Sequence, residues 1–166
     1  VSLHIDHQQR ENTGMAQFTY TATASDGSVF TRKSDRTYTH AVVCTESYQV
    51  AQHNAMNSGW RRTDISNFKF YQELVAKWDA GEEPRSWDKS ERTREIVAAH
   101  GTAEQYAETR RNERIALVEK RKAEGKYEEF FLVGFCGRRD LAMKSAAKCK
   151  QPDNRVEILE LTVKAK

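Results

Sequence analysis

The sequence predicts an α+β fold: a sheet of about five strands, antiparallel or mixed, in the order βββ, helical block, βαβ. Three observations predict it. Residues 17–45 alternate apolar and polar side chains with period two. Residues 46–124 switch to spacings of three and four. Residues 130–163 then return to strand patterns around one helix of small side chains. Residues 15–166 make a single domain, with 60–125 inserted as a helical excursion.

The first fourteen residues, VSLHIDHQQRENTG, show little periodicity and read as a disordered extension. Arg10-Glu11 can be encoded by a purine run resembling a bacterial ribosome-binding site, which makes Met15 a usable start. Phe18, Tyr20, Ala22 and Ala24 then share one face of a strand, with Thr19, Thr21 and Thr23 on the other. Asp26-Gly27 signals a hairpin. A two-residue loop would put Phe30 on the hydroxyl face, whereas the loop Ser25-Asp26-Gly27, with Gly27 left-handed, returns Phe30 beside Ala22 and Ala24. The second register keeps the apolar set together. A turn at Ser34-Asp35-Arg36 leads to a third strand, Thr37 to Thr45, completing a meander.

Residues 46–56 read as a helix closed by the turn Asn57-Ser58-Gly59. Ile65, Phe68, Tyr71, Leu74, Val75 and Trp78 mark a stronger helix, with Asp64 or Ser66 as its cap and Gly81 beyond its end. After the linker GEEPRSW a charged helix runs from Lys89 to His100. Thr102 and Gln105 form a capping-box pattern that opens a helix reaching Glu124, stopped by Gly125. At 1.5 Å per residue it is about 33 Å long. Its centre, ETRRNER, is polar all round, so part of it is expected to stand away from the core. Phe130 to Cys136 is an apolar run that predicts a central strand covered on both faces. Leu141, Ala142, Ser145, Ala146 and Cys149 line a helix suited to close packing on a sheet, Pro152 blocks it, and Arg155 to Val163 is the last strand.

Composition limits the function. At 166 residues the chain can bury a real core. No apolar run approaches the ~20 residues of a membrane span, and no basic-then-apolar leader is present, so no membrane contact and a cytosolic chain are expected. The net charge of +3, from 27 Lys and Arg against 24 Asp and Glu, is too slight to demand a polyanionic partner. Cys44, Cys136 and Cys149 are an odd number at long spacings without CxxC, which predicts buried free thiols with no metal and no cofactor.

Several patterns could carry function. In GFCGRRDLAMK, residues 134–144, a strand ends at a glycine and a helix opens with two arginines. Gly137, Arg138 and Arg139 are therefore an anion-binding candidate at a helix N-terminus, with Cys136 close enough to become more acidic. The alternative is an ordinary turn capped by Asp140 with both arginines in solvent. REIVAAHGTAEQYAETRR has the outline of a helix-turn-helix, but Ala107 and Arg110 stand where the second helix needs large apolar anchors, so an antiparallel helical hairpin fits better. Basic clusters at Arg32, Lys33, Arg61, Arg62, Arg110, Arg111 and Arg114 are nucleic-acid-binding candidates, with Tyr20, Tyr38 and Trp60 as stacking surfaces. Glutamates interleaved with the helical arginines weaken that attraction. No HExxH, HxxxH or GxSxG pattern occurs, so no catalytic residue is assigned and no enzyme is expected. Cys44 or Cys136 with His40 could enter a triad assembled across the fold, although His40 reads more simply as a strand side chain.

The stretch FTYTATASDGSVFTRKSDRTYTHAVV, followed far downstream by FFLVGFCGRRDLAMKSAAK, resembles small accessory proteins of actinobacterial phages and plasmids. The resemblance covers about a third of the chain and implies a mobile-element origin. It supplies no site residues. The leading functional expectation is a non-enzymatic interaction protein that binds a protein partner, or a second copy of itself, through the helical insertion. The apolar ends of the long helix, Tyr106 at one and Ile115, Leu117 and Val118 at the other, are the partner-binding candidates. The alternative is nucleic-acid binding through the arginine clusters.

Overall fold

The structure, a computed structural model, describes residues 17–165; the predicted extension over 1–14 and the start at Met15 lie outside them. The α+β class is as expected. The chain forms two compact units. One comprises the described residues up to Cys44 with Phe130–Cys149 and the segment from Val156 onward; the other is Thr45–Glu129 with Lys150–Arg155.

The first unit holds six strands in two three-stranded antiparallel sheets, where a single sheet of about five was expected. β1 (Phe18–Thr23) and β2 (Val29–Ser34) form the hairpin in the bulged register, with Ala22 opposite Phe30. Gly27 closes the loop at φ +87°, a left-handed geometry that costs glycine nothing, and its N–H donates to Ala24 O at 3.0 Å. β3 (His40–Cys44) does not extend this hairpin, so the predicted meander is corrected. It lies between β4 (Phe131–Cys136) and β5 (Val156–Glu160) in a second sheet. The last strand is also divided: after Leu161 it continues as β6 (Thr162–Ala165), which takes the free edge of β1.

The reason lies in β3. Ala41, Val42, Val43 and Cys44 are apolar on both faces, and all are buried. Such a strand needs a neighbour on each side and cover above and below. On one face Val43 packs with Ala24 and Phe130, joined by Phe30 and Leu159, and Tyr20, Tyr38 and Phe135 continue the contact as ring pairs 5.2 and 5.8 Å apart. On the same sheet packs α5 (Arg139–Cys149), whose Ala142 is fully buried and small enough for close approach. β4, read as the doubly covered central strand, is instead an edge strand. Phe131, Leu132 and Val133 remain 45%, 38% and 36% exposed, and a bulge opposite Val42 and Val43 breaks its ladder. β3 has taken the middle place that β4 was expected to fill.

The second unit is helical. α1 (Tyr48–Met56) is capped by Ser47, whose hydroxyl accepts from Val50 N at 3.0 Å and donates to Asp153 Oδ1 at 2.6 Å. Thr45 and Arg155 exchange two further bonds of 2.9 Å, which is how the segment 150–155 belongs to this unit. α2 runs from Ser58 to Asp79, two turns earlier than expected: Asn57 Oδ1 accepts from Gly59 N at 2.8 Å, so the supposed turn is a cap. Asp64 therefore lies inside the helix. α3 (Ser90–Ala99) and α4 (Ala103–Ala123) follow, and α4 carries the complete capping box of Thr102 and Gln105. Both pack on α2, so the expected two-helix hairpin is better described as two helices laid on a third. Their core is Phe68, Ala103 and Tyr106 with Ile65, Tyr71, Ile96 and Val97 around it. The polar centre of α4 is not free, because Arg114 pairs with Asp64 and α1 also packs along α4. Among the described residues no helix is long and apolar enough to cross a membrane.

Candidate binding surfaces of the helical unit

Two concave surfaces open along α2. The first is a cleft of about 800 Å³ between α2, α3 and α4. Trp60, Asp64, Asn67 and Tyr71 recur at helical spacing and line it from α2, facing His100, Tyr106 and Arg114. Asp64 is 6% exposed, and its Oδ2 accepts from Arg114 Nη1 at 2.8 Å. The Arg114 guanidinium stands 5.7 Å from the centre of the Trp60 ring, while Tyr106 stacks on Phe68 at 5.1 Å. Burial among these rings raises the Tyr106 hydroxyl above its ordinary pKa. Arg110 pairs with Glu113 on the same wall.

The second is a groove of about 450 Å³ at the C-terminal end of α2, lined by Phe70, Leu74 and Trp78 from the helix and Trp87 from the loop that follows. Gly81, at φ +99°, ends the helix in a left-handed turn, and Gly81 N and Glu82 N return to the carbonyls of Trp78 and Lys77. Asp88 then fixes the loop: its Oδ2 accepts from Arg85 N at 2.8 Å and its N–H donates to Arg85 O at 2.9 Å. This turn holds Trp87 outward at 71% exposure, with the Arg85 guanidinium 5.6 Å from the ring centre, and Phe70 is 55% exposed beside it.

The residues singled out from the sequence are dispersed. Of the partner-binding candidates, Tyr106 is 8% exposed, in the helical core and on the floor of the cleft; Leu117 is exposed, and Ile115 and Val118 are half-buried. Of the basic candidates, Arg114 is held by Asp64, Arg110 by Glu113 and Arg111 by Glu108, and the Arg32 guanidinium lies 4.9 Å from the centre of the Tyr38 ring. Lys33, Arg61 and Arg62 are exposed. At the anion candidate, Arg138 pairs at 3.2 Å with Asp140 in the first turn of α5, so a carboxylate already answers the positive end of the helix. Gly137 matters for space, since a Cβ there would meet Thr37 O at 3.3 Å, and Arg139 is exposed. Cys136 and His40 are cross-strand neighbours. Burial raises the Cys136 thiol above its ordinary value, which favours the unreactive form, and His40 Nδ1 is engaged with Thr39 Oγ1 at 2.8 Å.

Both concave surfaces escaped the sequence reading. The exposed Trp87 was readable as an aromatic in a polar linker, but the Asp64–Arg114 pair joins residues far apart in the chain. Fold and surfaces together describe an α+β chain with an all-helical unit. No family model, curated protein or solved structure matches it.

Proposed function

We propose that this chain is a non-enzymatic interaction protein whose helical unit docks a protein partner in the groove between Phe70 and Trp87. The observation that carries the reading is the pair of exposed aromatic side chains, on a unit whose own core of Phe68, Ala103 and Tyr106 is complete without them. Large aromatics held rigidly at a concave surface are the usual energetic anchors of protein interfaces, because they bury much area at little cost in side-chain freedom. Leu74 and Trp78 form an apolar floor, and Glu82, Glu83, Lys77 and Arg85 make a polar rim. The partner inserts one or two large apolar side chains. The resemblance to phage and plasmid accessory proteins supports a role in a bacterial cytoplasm, on a protein of the element or its host. Nucleic-acid binding is the less supported reading, because Arg110, Arg111 and Arg114 are each paired with a carboxylate.

The test is Phe70→Ser with Trp87→Ser. Both side chains are exposed, so the variant keeps the native circular dichroism. It is expected to lose the complexes that the intact protein forms in its host, or its self-association by sedimentation equilibrium. A variant that keeps its fold and every complex would overturn the proposal.

A further inference from the structure

We propose that the α2–α3–α4 cleft binds a small aromatic anion of the nucleoside-monophosphate class: one planar ring system carrying one phosphate. This site is separate from the Phe70–Trp87 groove and does not rest on it. Its volume, about 800 Å³, suits a ligand of that size.

Lys89, Arg92, Arg110 and Arg114 line the cleft against two carboxylates, Asp64 and Glu113. Asp64 is committed to Arg114 and Glu113 to Arg110. Lys89 and Arg92 have no carboxylate partner among the described residues, and both are exposed, one just before α3 and one in its first turn. A dianionic phosphate at that wall would supply the missing counter-charge.

The α2 wall carries an aromatic ring. Trp60 is 51% exposed, with the Arg114 guanidinium near its ring and space beside it in the cleft. A planar base can stack on such a ring, as bases do on aromatic platforms in single-strand binding proteins. Asp64 lines the cleft one turn along α2 from Trp60. Its side chain is only 9% exposed, and its Oδ1 accepts no hydrogen bond from the described residues. That oxygen is open to the cleft, within reach of a donor on a bound ligand. A base amine or a ribose hydroxyl would satisfy it, which selects a ligand with donors over a bare phosphate.

Calorimetry on the full chain tests this with four probes: adenosine monophosphate, adenosine, inorganic phosphate and a short single-stranded oligonucleotide. The monophosphate is expected to bind at least tenfold more tightly than adenosine or phosphate alone. Lys89→Ala with Arg92→Ala, both at exposed positions, should weaken it at least tenfold, and Trp60→Ala by a similar factor, with the circular dichroism unchanged. Equal binding of inorganic phosphate or of adenosine would overturn the assignment, and so would a monophosphate affinity indifferent to these variants. Binding only of the oligonucleotide would transfer the cleft to a nucleic-acid role and overturn the small-ligand proposal.

Discussion

Arg114→Ala should destabilise the helical unit out of proportion to its place on a polar helix. The Asp64 side chain is 9% exposed and that of Arg114 20%, so the pair sits largely away from water. Removing the arginine leaves a buried carboxylate unmatched, an effect of about 3–5 kcal/mol in enclosed pairs. The cleft admits water beside Asp64, which puts the expected loss near the lower end, about 3 kcal/mol. The contact with Trp60 adds about 0.5–1 kcal/mol. Urea unfolding followed by far-UV circular dichroism reads the change; with a slope of about 2 kcal/mol/M the combined loss lowers the midpoint by about 1.8–2 M. Because the pair is enclosed, the loss should persist at about 1 M salt, where exposed pairs are screened. Asp64→Leu with Arg114→Leu should recover most of it, giving a coupling of at least about 2 kcal/mol. A single variant within about 0.5 kcal/mol of the parent, or additive single changes, would refute the assignment of Arg114 as a structural cation.

Other consequences are smaller and equally specific. Thr102→Ala removes half of the capping box and should cost about 1 kcal/mol, read as faster amide exchange over the first turn of α4. Gly27→Ala forces a side chain into φ +87° and should cost about 1–2 kcal/mol in the same unfolding assay. Cys136, whose pKa burial raises, should react with iodoacetamide more slowly than glutathione at pH 8, with a rate still climbing above pH 9. The Tyr48 hydroxyl donates to Glu119 Oε1 at 2.6 Å, and that bond, with burial and the glutamate's charge, raises its pKa. A raised acid is held protonated by the fold, so this contribution is complete below the ordinary tyrosine value of about 10 and disappears as pH climbs past the folded value. Tyr48→Phe should remove the corresponding part of the alkaline fall in stability.

Local signals were legible and non-local ones were not. The hairpin register followed from keeping Phe30 with Ala22, and the α4 start from Thr102 and Gln105, because each is decided within a few residues. Asn57-Ser58-Gly59 misled because an asparagine oxygen accepting a nearby N–H closes turns and opens helices alike. The pairing of β3 was hidden: its apolar side chains demanded cover on both faces, yet nothing local said that β4 and β5, rather than β2, would flank it. The same blindness made Phe131–Cys136 look central. At the candidate sites, the arginines were visible but their partners were not. Asp64 approaches Arg114 only through the packing of α4 on α2, and the groove beside Trp87 exists only because Asp88 and Gly81 turn the loop back.

Photo-cross-linking from position 87 in living host cells is the shortest route to a decision about the docking groove. A benzophenone side chain there should trap one discrete protein adduct, and the adduct should vanish when Phe70 is changed to Ser. A natively folded protein that yields no adduct from position 87, but does yield one from an exposed site far from the groove, would contradict the account.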